Sequence, residues 1–213
     1  MEMAEAAQKL VNALHGTLGP DEFLDASLAA ETALYNEIET QLADTILRAM
    51  VAKGELTFPN VMSFTMRYFQ SRKARRGASL QNHFARLLDR EGIAYTAQCV
   101  TEGKEKPDFV FPGCREYSDA RFPAKRLRMV ACKSRTRERW DEVLNEAARI
   151  DPKYLLSVDE DITDSAIEKM AVSHIRLFLP KRVLDDHYGA SAQRRVLGSV
   201  RELLSELKAA TKA

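Results

Sequence analysis

From Ser79 onward, short β-type runs alternate with amphipathic helical runs, and no other feature of the chain limits its fold as much. "SLQNHFARLLDREG" places Leu80, Phe84, Leu87 and Leu88 on one helical face, with Ser79 as a cap and Gly92 as a stop. "IAYTAQCV", "PDFVFPG" and "RLRMVACK" then read as three strands. "RERWDEVLNEAARI" follows as a helix with Trp140, Val143, Leu144 and Ala147 inward and Arg139, Glu142, Glu146 and Arg149 on the opposite face. "KYLLSV" is a strand, "TDSAIEKMA" a helix, "HIRLFLP" a strand, and a last helix covers roughly Ser191 to Ala209. This order predicts an α/β fold with a mixed central sheet covered by helices on both faces.

Upstream, two helical stretches are expected. "AEAAQKLVNALHG" stops at Gly16, and a long Ala/Leu-rich run carries Leu28, Leu34, Ile38, Leu42, Ile46 and Met50 to a stop at Gly54. "LTFPNVMSFTMRYFQ" mixes β-branched and aromatic residues and fits neither pattern. The expected organisation is a helical region at 1–76, a helical subdomain or an oligomerisation surface, and a core at 77–213.

Several classes are excluded by composition. With 213 residues and 45% apolar content, the chain can bury one real core. It has no apolar run long enough to span a bilayer and no secretory pattern at its start, so a cytoplasmic protein is expected. Cys99, Cys114 and Cys132 stand far apart without a CxxC, which argues against structural zinc and against a disulfide framework.

The net charge of +1 hides an asymmetry. Residues 1–60 hold ten acidic and three basic side chains, so the remainder is strongly basic. "MRYFQSRKARR" at 66–76 has five basic residues and no acid, and Arg121 to Arg139 has eight basic residues against Glu138 alone. Such clusters suit phosphate, which makes Arg72, Arg75 and Arg76 candidate contacts to a DNA backbone. A solvated loop gives the same composition.

One constellation has the chemistry of phosphodiester hydrolysis. Asp108 enters a short strand, Lys133 ends the next long one, and a hairpin between them brings both to one sheet edge. Glu146 follows 13 residues after Lys133. Mg²⁺ takes one or two carboxylates, a carbonyl and several waters, so Asp108, Glu146 and the Cys132 carbonyl are candidate ligands. Lys133 is then placed to hold the attacking water or lower its pKa. An acid two residues before the lysine would complete a PD…(D/E)xK pattern, but Ala131 stands there. The same residues also occur as an ordinary strand entry, a solvated lysine and ion-pair partners of Arg139 and Arg149.

The stretch "GASLQNHFARLLDREGIAYTAQCVTEGKEKPDFVFPG", followed by "FPAKRLRMVACKSRTRERWDEVLNEAARI", resembles the catalytic domain of EcoRII-type type II restriction endonucleases. These belong to the PD-(D/E)xK nucleases. The resemblance spans about Gly77 to Pro180 and includes "TEGKEKPDF", the lysine strand, "RW…NEA" and "RLFLP". It implies a restriction-endonuclease-like fold, Mg²⁺ as cofactor, and Asp108, Lys133 and Glu146 as catalytic residues, Glu146 being the displaced acid. The family's usual glutamate in the first core helix falls on Gln81, which can bind a metal-bound water without charge. Either another acid, such as Glu91 or Glu102, takes over, or Asp108 and Glu146 suffice.

Arg137, Glu138 and Arg139 have the chemistry to read adjacent G·C pairs, arginine to guanine and glutamate to cytosine. The resemblance implies CC/GG half-sites of the CCGG, CCNGG or CCWGG kind. A palindromic double-stranded DNA target implies a homodimer, with the N-terminal helices and the last helix as candidate surfaces. A host carrying such an enzyme needs a cognate DNA methyltransferase. Tyr35, Tyr68 and Phe69 are candidates to stack on a flipped base. The rival readings are a repair or nicking nuclease of the same fold and a catalytically inactive sequence-specific DNA-binding module.

Overall fold

The computed structural model describes residues 2–15, 17–136 and 140–212, with no side-chain description at Met3, Leu14, His15, Arg76 and Lys212. Three helices come first: α1 (Glu2–His15), α2 (Pro20–Ala52) and α3 (Phe58–Arg90). Then follow β1 (Thr96–Ala97), β2 (Phe109–Phe111), α4 (Cys114–Ser118), β3 (Arg128–Lys133), β4 (Lys153–Ser157), α5 (Asp164–Val172), β5 (Ile175–Leu179), α6 (Lys181–Tyr188), β6 (Gly198–Ser199) and α7 (Val200–Lys212).

The six strands lie in sequence order in one mixed sheet. β1, β2 and β3 pair antiparallel, and β3 to β6 pair parallel. Period-two alternation divides β3 between two cores. Met129 and Ala131 join Val110, Leu155, Leu177 and the apolar faces of α5 and α6. Val130 and Cys132 join Phe109, Phe111, Leu156 and Phe178 beneath α3 and α7. The expected mixed sheet with helices on both faces is therefore present.

The element boundaries differ from expectation in five places. The unassigned stretch at 56–70 is helical from Phe58 and continuous with the helix expected from Ser79, so α3 is 33 residues long and crosses residues 76 and 77 without a break. Ser79 is consequently no cap, and its hydroxyl donates to Glu31 of α2 instead. Glu31 also pairs with buried His83 at 2.9 Å, tying the two long helices together. "IAYTAQCV" contributes only two strand residues, because Gln98 turns out of the sheet with φ 53°.

Of the helix expected over "RERWDEVLNEAARI", residues 137–139 lie outside the described residues, and the remainder has only a short 3-10 turn at Asp141–Asn145. The Ile150 N–H bonds Ala147 O and Ala147 has φ 48°, which ends helical propagation. Val143 and Ala147 are buried and Trp140 packs on the core, but Leu144 is 39% exposed.

The last helix starts at Val200, not near Ser191, and α6 precedes it. Between them Gly198 adds an edge strand, where a Cβ would lie 2.5 Å from the Phe178 ring. Buried Asp21 of α2 accepts from the N–H groups of Lys181 (3.0 Å), Val200 (2.9 Å) and Arg201 (3.2 Å), joining the starts of α6 and α7 to the helical region.

Cys99 and Cys114 form a disulfide, contrary to expectation, while Cys132 is free and buried. The β1–β2 hairpin brings the ends of two non-adjacent segments together, and Cys114 N–H also donates to Thr96 Oγ1. Gly54 (φ 67°) and Gly92 (φ 63°) close α2 and α3 as expected. Among the described residues no helix is long and apolar enough to cross a membrane.

Candidate active site

The hairpin of β2 and β3 sets the first part of the site. Phe109 pairs with Val130, and one step further the register lays Asp108 beside Ala131. Asp108 is largely buried here, and three donors hold its carboxylate. Gln81 Nε2 from α3 donates to Oδ1 at 2.8 Å, Gln98 Nε2 donates to the same oxygen at 3.0 Å, and Cys132 N–H donates to Oδ2 at 2.7 Å. Each carboxylate oxygen accepts about two bonds, so Oδ1 is filled and Oδ2 retains one acceptor position.

Gln98 carries no motif signal. Its backbone N–H bonds Asp108 O at 3.1 Å and its side chain bonds the carboxylate, so the left-handed turn grips Asp108 twice. Non-glycine residues occupy that conformation rarely, and asparagine-like side-chain bonding is what supports it here.

Glu146 arrives from the other side. It leaves the 3-10 turn in extended conformation (φ −81°, ψ 141°), and among the described residues its buried Oε2 has no hydrogen-bond partner. Burial pushes its carboxyl up to about 7; the nearby Asp108 charge adds to this and Lys133 opposes it. Burial likewise raises Asp108, against the Cys132 N–H and the Lys133 charge. Two carboxyls and one ammonium therefore lie close enough at the end of β3 to act on one another's charge. Lys133 Nζ donates to Glu142 Oε2 at 3.0 Å and its side chain is mostly buried. Burial pushes the Cys132 thiol well above its ordinary range, which leaves its backbone carbonyl as the group with ligand chemistry.

The structure thus brings together Gln81, Asp108, Cys132, Lys133 and Glu146. The two alternative acids are engaged elsewhere. Glu91 pairs with Lys208 at 2.7 Å and with Arg90 at 3.1 Å. Glu102 accepts from the Tyr117 hydroxyl and from the Ala148 N–H.

Among the described residues no three His, Cys, Asp or Glu side chains cluster as a metal-binding group. Two carboxylates, a carbonyl and room for water are nonetheless the donor set that Mg²⁺ accepts, since it keeps several waters. The partnerless Oε2 of Glu146 and the open position on Asp108 Oδ2 fit that demand.

The candidate DNA contacts are less concentrated than the sequence suggests. Arg72 and Arg75 both pair with buried Glu39, and they lie over the rings of Tyr68 and Tyr35 respectively. Tyr68 also donates to Glu39 at 2.9 Å, so Tyr35 and Tyr68 belong to the α2–α3 contact, while Phe69 is exposed. The Arg76 side chain and the triplet Arg137, Glu138 and Arg139 lie outside the described residues. The second basic run is not one patch. Lys125, Arg126 and Arg128 flank the start of β3 and Lys133 ends it, about 16 Å away along the strand.

What anchors the approach to the triplet is visible. Thr136 is buried, and both its N–H (2.8 Å) and its hydroxyl (3.0 Å) donate to Asp159 Oδ2 in the loop after β4.

Comparison with known proteins decides the family. Residues 36–204 match the model of the family described as EcoRII C terminal. The chain belongs to the EcoRII C-terminal family. It is 33% identical over 165 residues to the type II restriction enzyme EcoRII of Escherichia coli, covering 77% of this chain. It spans 40% of that relative's length. Solved structures with the same fold include metal-depleted Ecl18kI in complex with uncleaved DNA (TM-score 0.76). That pair shares 18% identity over 99% of this chain and 79% of the other. The restriction endonuclease PspGI in a substrate DNA complex gives the same TM-score and identity, over 99% of this chain and 92% of the other. The restriction-endonuclease-like fold expected from the sequence resemblance is thereby established.

Proposed function

We propose that this chain is a Mg²⁺-dependent type II restriction endonuclease that cuts double-stranded DNA at a short palindrome with CC/GG half-sites. The observation that carries the proposal is the meeting at the end of β3 of Asp108, Lys133 and Glu146, whose buried Oε2 has no hydrogen-bond partner among the described residues. A buried acid without a hydrogen-bond partner is costly unless a ligand completes it.

In this reading Asp108 Oδ2, Glu146 and the Cys132 carbonyl hold the ion. The bound ion supplies charge neutralisation at the phosphoryl oxygens and acidifies the attacking water. Gln81 and Gln98 fix the Asp108 carboxylate by filling Oδ1, which leaves Oδ2 directed to the ion. Lys133 orients the water and offsets the negative charge of the two carboxylates. Gln81 thus acts as a neutral clamp in the place of the family's acid. Arg137, Glu138 and Arg139 read the G·C pairs, and the solved relatives with DNA bound support DNA binding. Two copies cut the two strands.

Incubation of plasmid with Mg²⁺, followed by sequencing of fragment ends, tests this. Discrete fragments sharing one CC/GG sequence are expected. Nicks or smears support the repair or nicking reading, and selective binding without cleavage at any Mg²⁺ concentration supports the inactive module. Lys133→Ala is expected to abolish cleavage while specific DNA binding in Ca²⁺ persists; normal cutting by this variant removes Lys133 from the site.

A further inference from the structure

We propose that Lys153 is a positioning residue that sets the second carboxylate, Glu146, in place for metal binding. The proposal rests on the metal reading of Asp108 and Glu146 above.

Lys153 begins β4, in a strand whose five residues are all buried, and it is 9% exposed itself. Among the described residues its ammonium has no carboxylate partner. All three N–H donors go instead to backbone carbonyls of one short segment: Glu146, Ala147 (3.0 Å) and Ile150 (3.2 Å). Burying an ammonium costs free energy that an apolar side chain at this position would avoid. What the charge does here is hold a non-helical path.

That path is otherwise unfavourable. The sequence around Glu146 has helical periodicity, yet Ala147 is left-handed and the chain leaves the turn extended at Glu146. The three carbonyls gathered on Lys153 point toward one centre, which a helix, with its parallel carbonyls, does not allow. The far side of the segment is tied as well. The Arg149 guanidinium donates to the carbonyls of Tyr117, Asp119 (3.1 Å) and Phe122 (3.0 Å), and Glu102 accepts from Ala148 N–H. In an α-helix the Glu146 side chain would follow helical pitch. Pinned in this way, it lies near Asp108 and Lys133 with Oε2 unpartnered. Groups that orient a ligand's backbone usually change metal affinity by 10- to 100-fold when removed, on the order seen for partners one shell out.

The test measures Mn²⁺ binding to the DNA complex of the intact protein by electron paramagnetic resonance, beside single-turnover cleavage titrated with Mg²⁺. Lys153→Met keeps the length of the side chain and removes charge and donors. Roughly tenfold weaker Mn²⁺ binding is expected, with the Mg²⁺ midpoint for cleavage raised by a similar factor. High Mg²⁺ should restore most of the rate, and DNA affinity in EDTA should not change. If Lys153→Met binds Mn²⁺ like the parent while Asp108→Ala loses it, the inference fails and the metal site stands. If Asp108→Ala and Glu146→Gln also keep full Mn²⁺ affinity, the metal reading itself fails. Should Lys153→Met not fold, Lys153→Gln, with two donors on a shorter arm, replaces it and the same outcomes decide.

Discussion

Glu146 is the residue where function works against stability. Its folded carboxyl keeps a proton up to about pH 7, whereas the unfolded one loses it near the ordinary value of 4.5. Between these values the folded chain binds more protons than the unfolded chain, so unfolding free energy falls as pH rises and levels off above 7. The full shift corresponds to about 3 kcal/mol, and partial solvent screening reduces this to ~1–2 kcal/mol. Glu146→Gln removes the titration. In EDTA at pH 8 the variant should melt about 3–5 °C above the parent, and the two should converge near pH 4.5. Cleavage should be lost at every pH. A variant that melts below the parent at pH 8 would show that the carboxylate is satisfied in the folded protein and not waiting for a cation.

The elements show which parts of the fold and site the sequence made legible. The order of the first five strands from Ser79 onward followed periodicity, because burial on two sheet faces enforces it, whereas α4, α6 and β6 were not foreseen. Asp108 and Lys133 were legible because their residue types sit at strand ends, where side chains meet across a hairpin. Gln98, Lys153 and Asp159 were not, since each acts on backbone groups 3 to 23 residues away or through a rare backbone conformation. The same reason explains why the described residues 140–150 do not form the expected helix: Lys153 outweighs local periodicity. Thr136–Asp159 is the most testable of these hidden ties. It fastens the chain just before Arg137 to the β4–α5 loop. Asp159→Ala leaves a buried N–H and hydroxyl unpaired, at a cost of about 1–3 kcal/mol. If the triplet reads base pairs, the ratio of cognate to random-sequence binding should drop about tenfold, which is ~1.4 kcal/mol of discrimination. Competition binding in Ca²⁺ measures this, and an unchanged ratio would detach Asp159 from specificity.

At the scale of the whole molecule, the α2–α3 hairpin asks for a partner. Each helix is 33 residues, about 50 Å long, and their far halves extend beyond the sheet. Contacts between residues 36 and 72 and between 39 and 68 fix an antiparallel register. That register sets Ile38 level with Phe69 and Leu42 level with Met66. Leu42, Met66 and Phe69 are 57%, 56% and 59% exposed, and Ile38, Phe58 and Met62 on the same two helices are exposed as well. A monomer rarely leaves so many large apolar side chains of one hairpin in water, whereas a twofold interface would cover them with a second copy. Arg72 and Arg75, paired to Glu39, then stiffen the hairpin as well. Phe69→Glu places a carboxylate in the patch of both copies at once. Burial of such a ring is worth about 1.5–3 kcal/mol, so the doubled loss should weaken the proposed dimer at least ~100-fold. Sedimentation equilibrium should then show monomer at micromolar protein. The active site, carried by the sheet, should remain intact, so plasmid should be nicked slowly at the target and linearised only at high protein concentration. A Phe69→Glu protein that stays dimeric and cuts both strands at parental rates would place the twofold interface elsewhere, with α7 the next surface to probe.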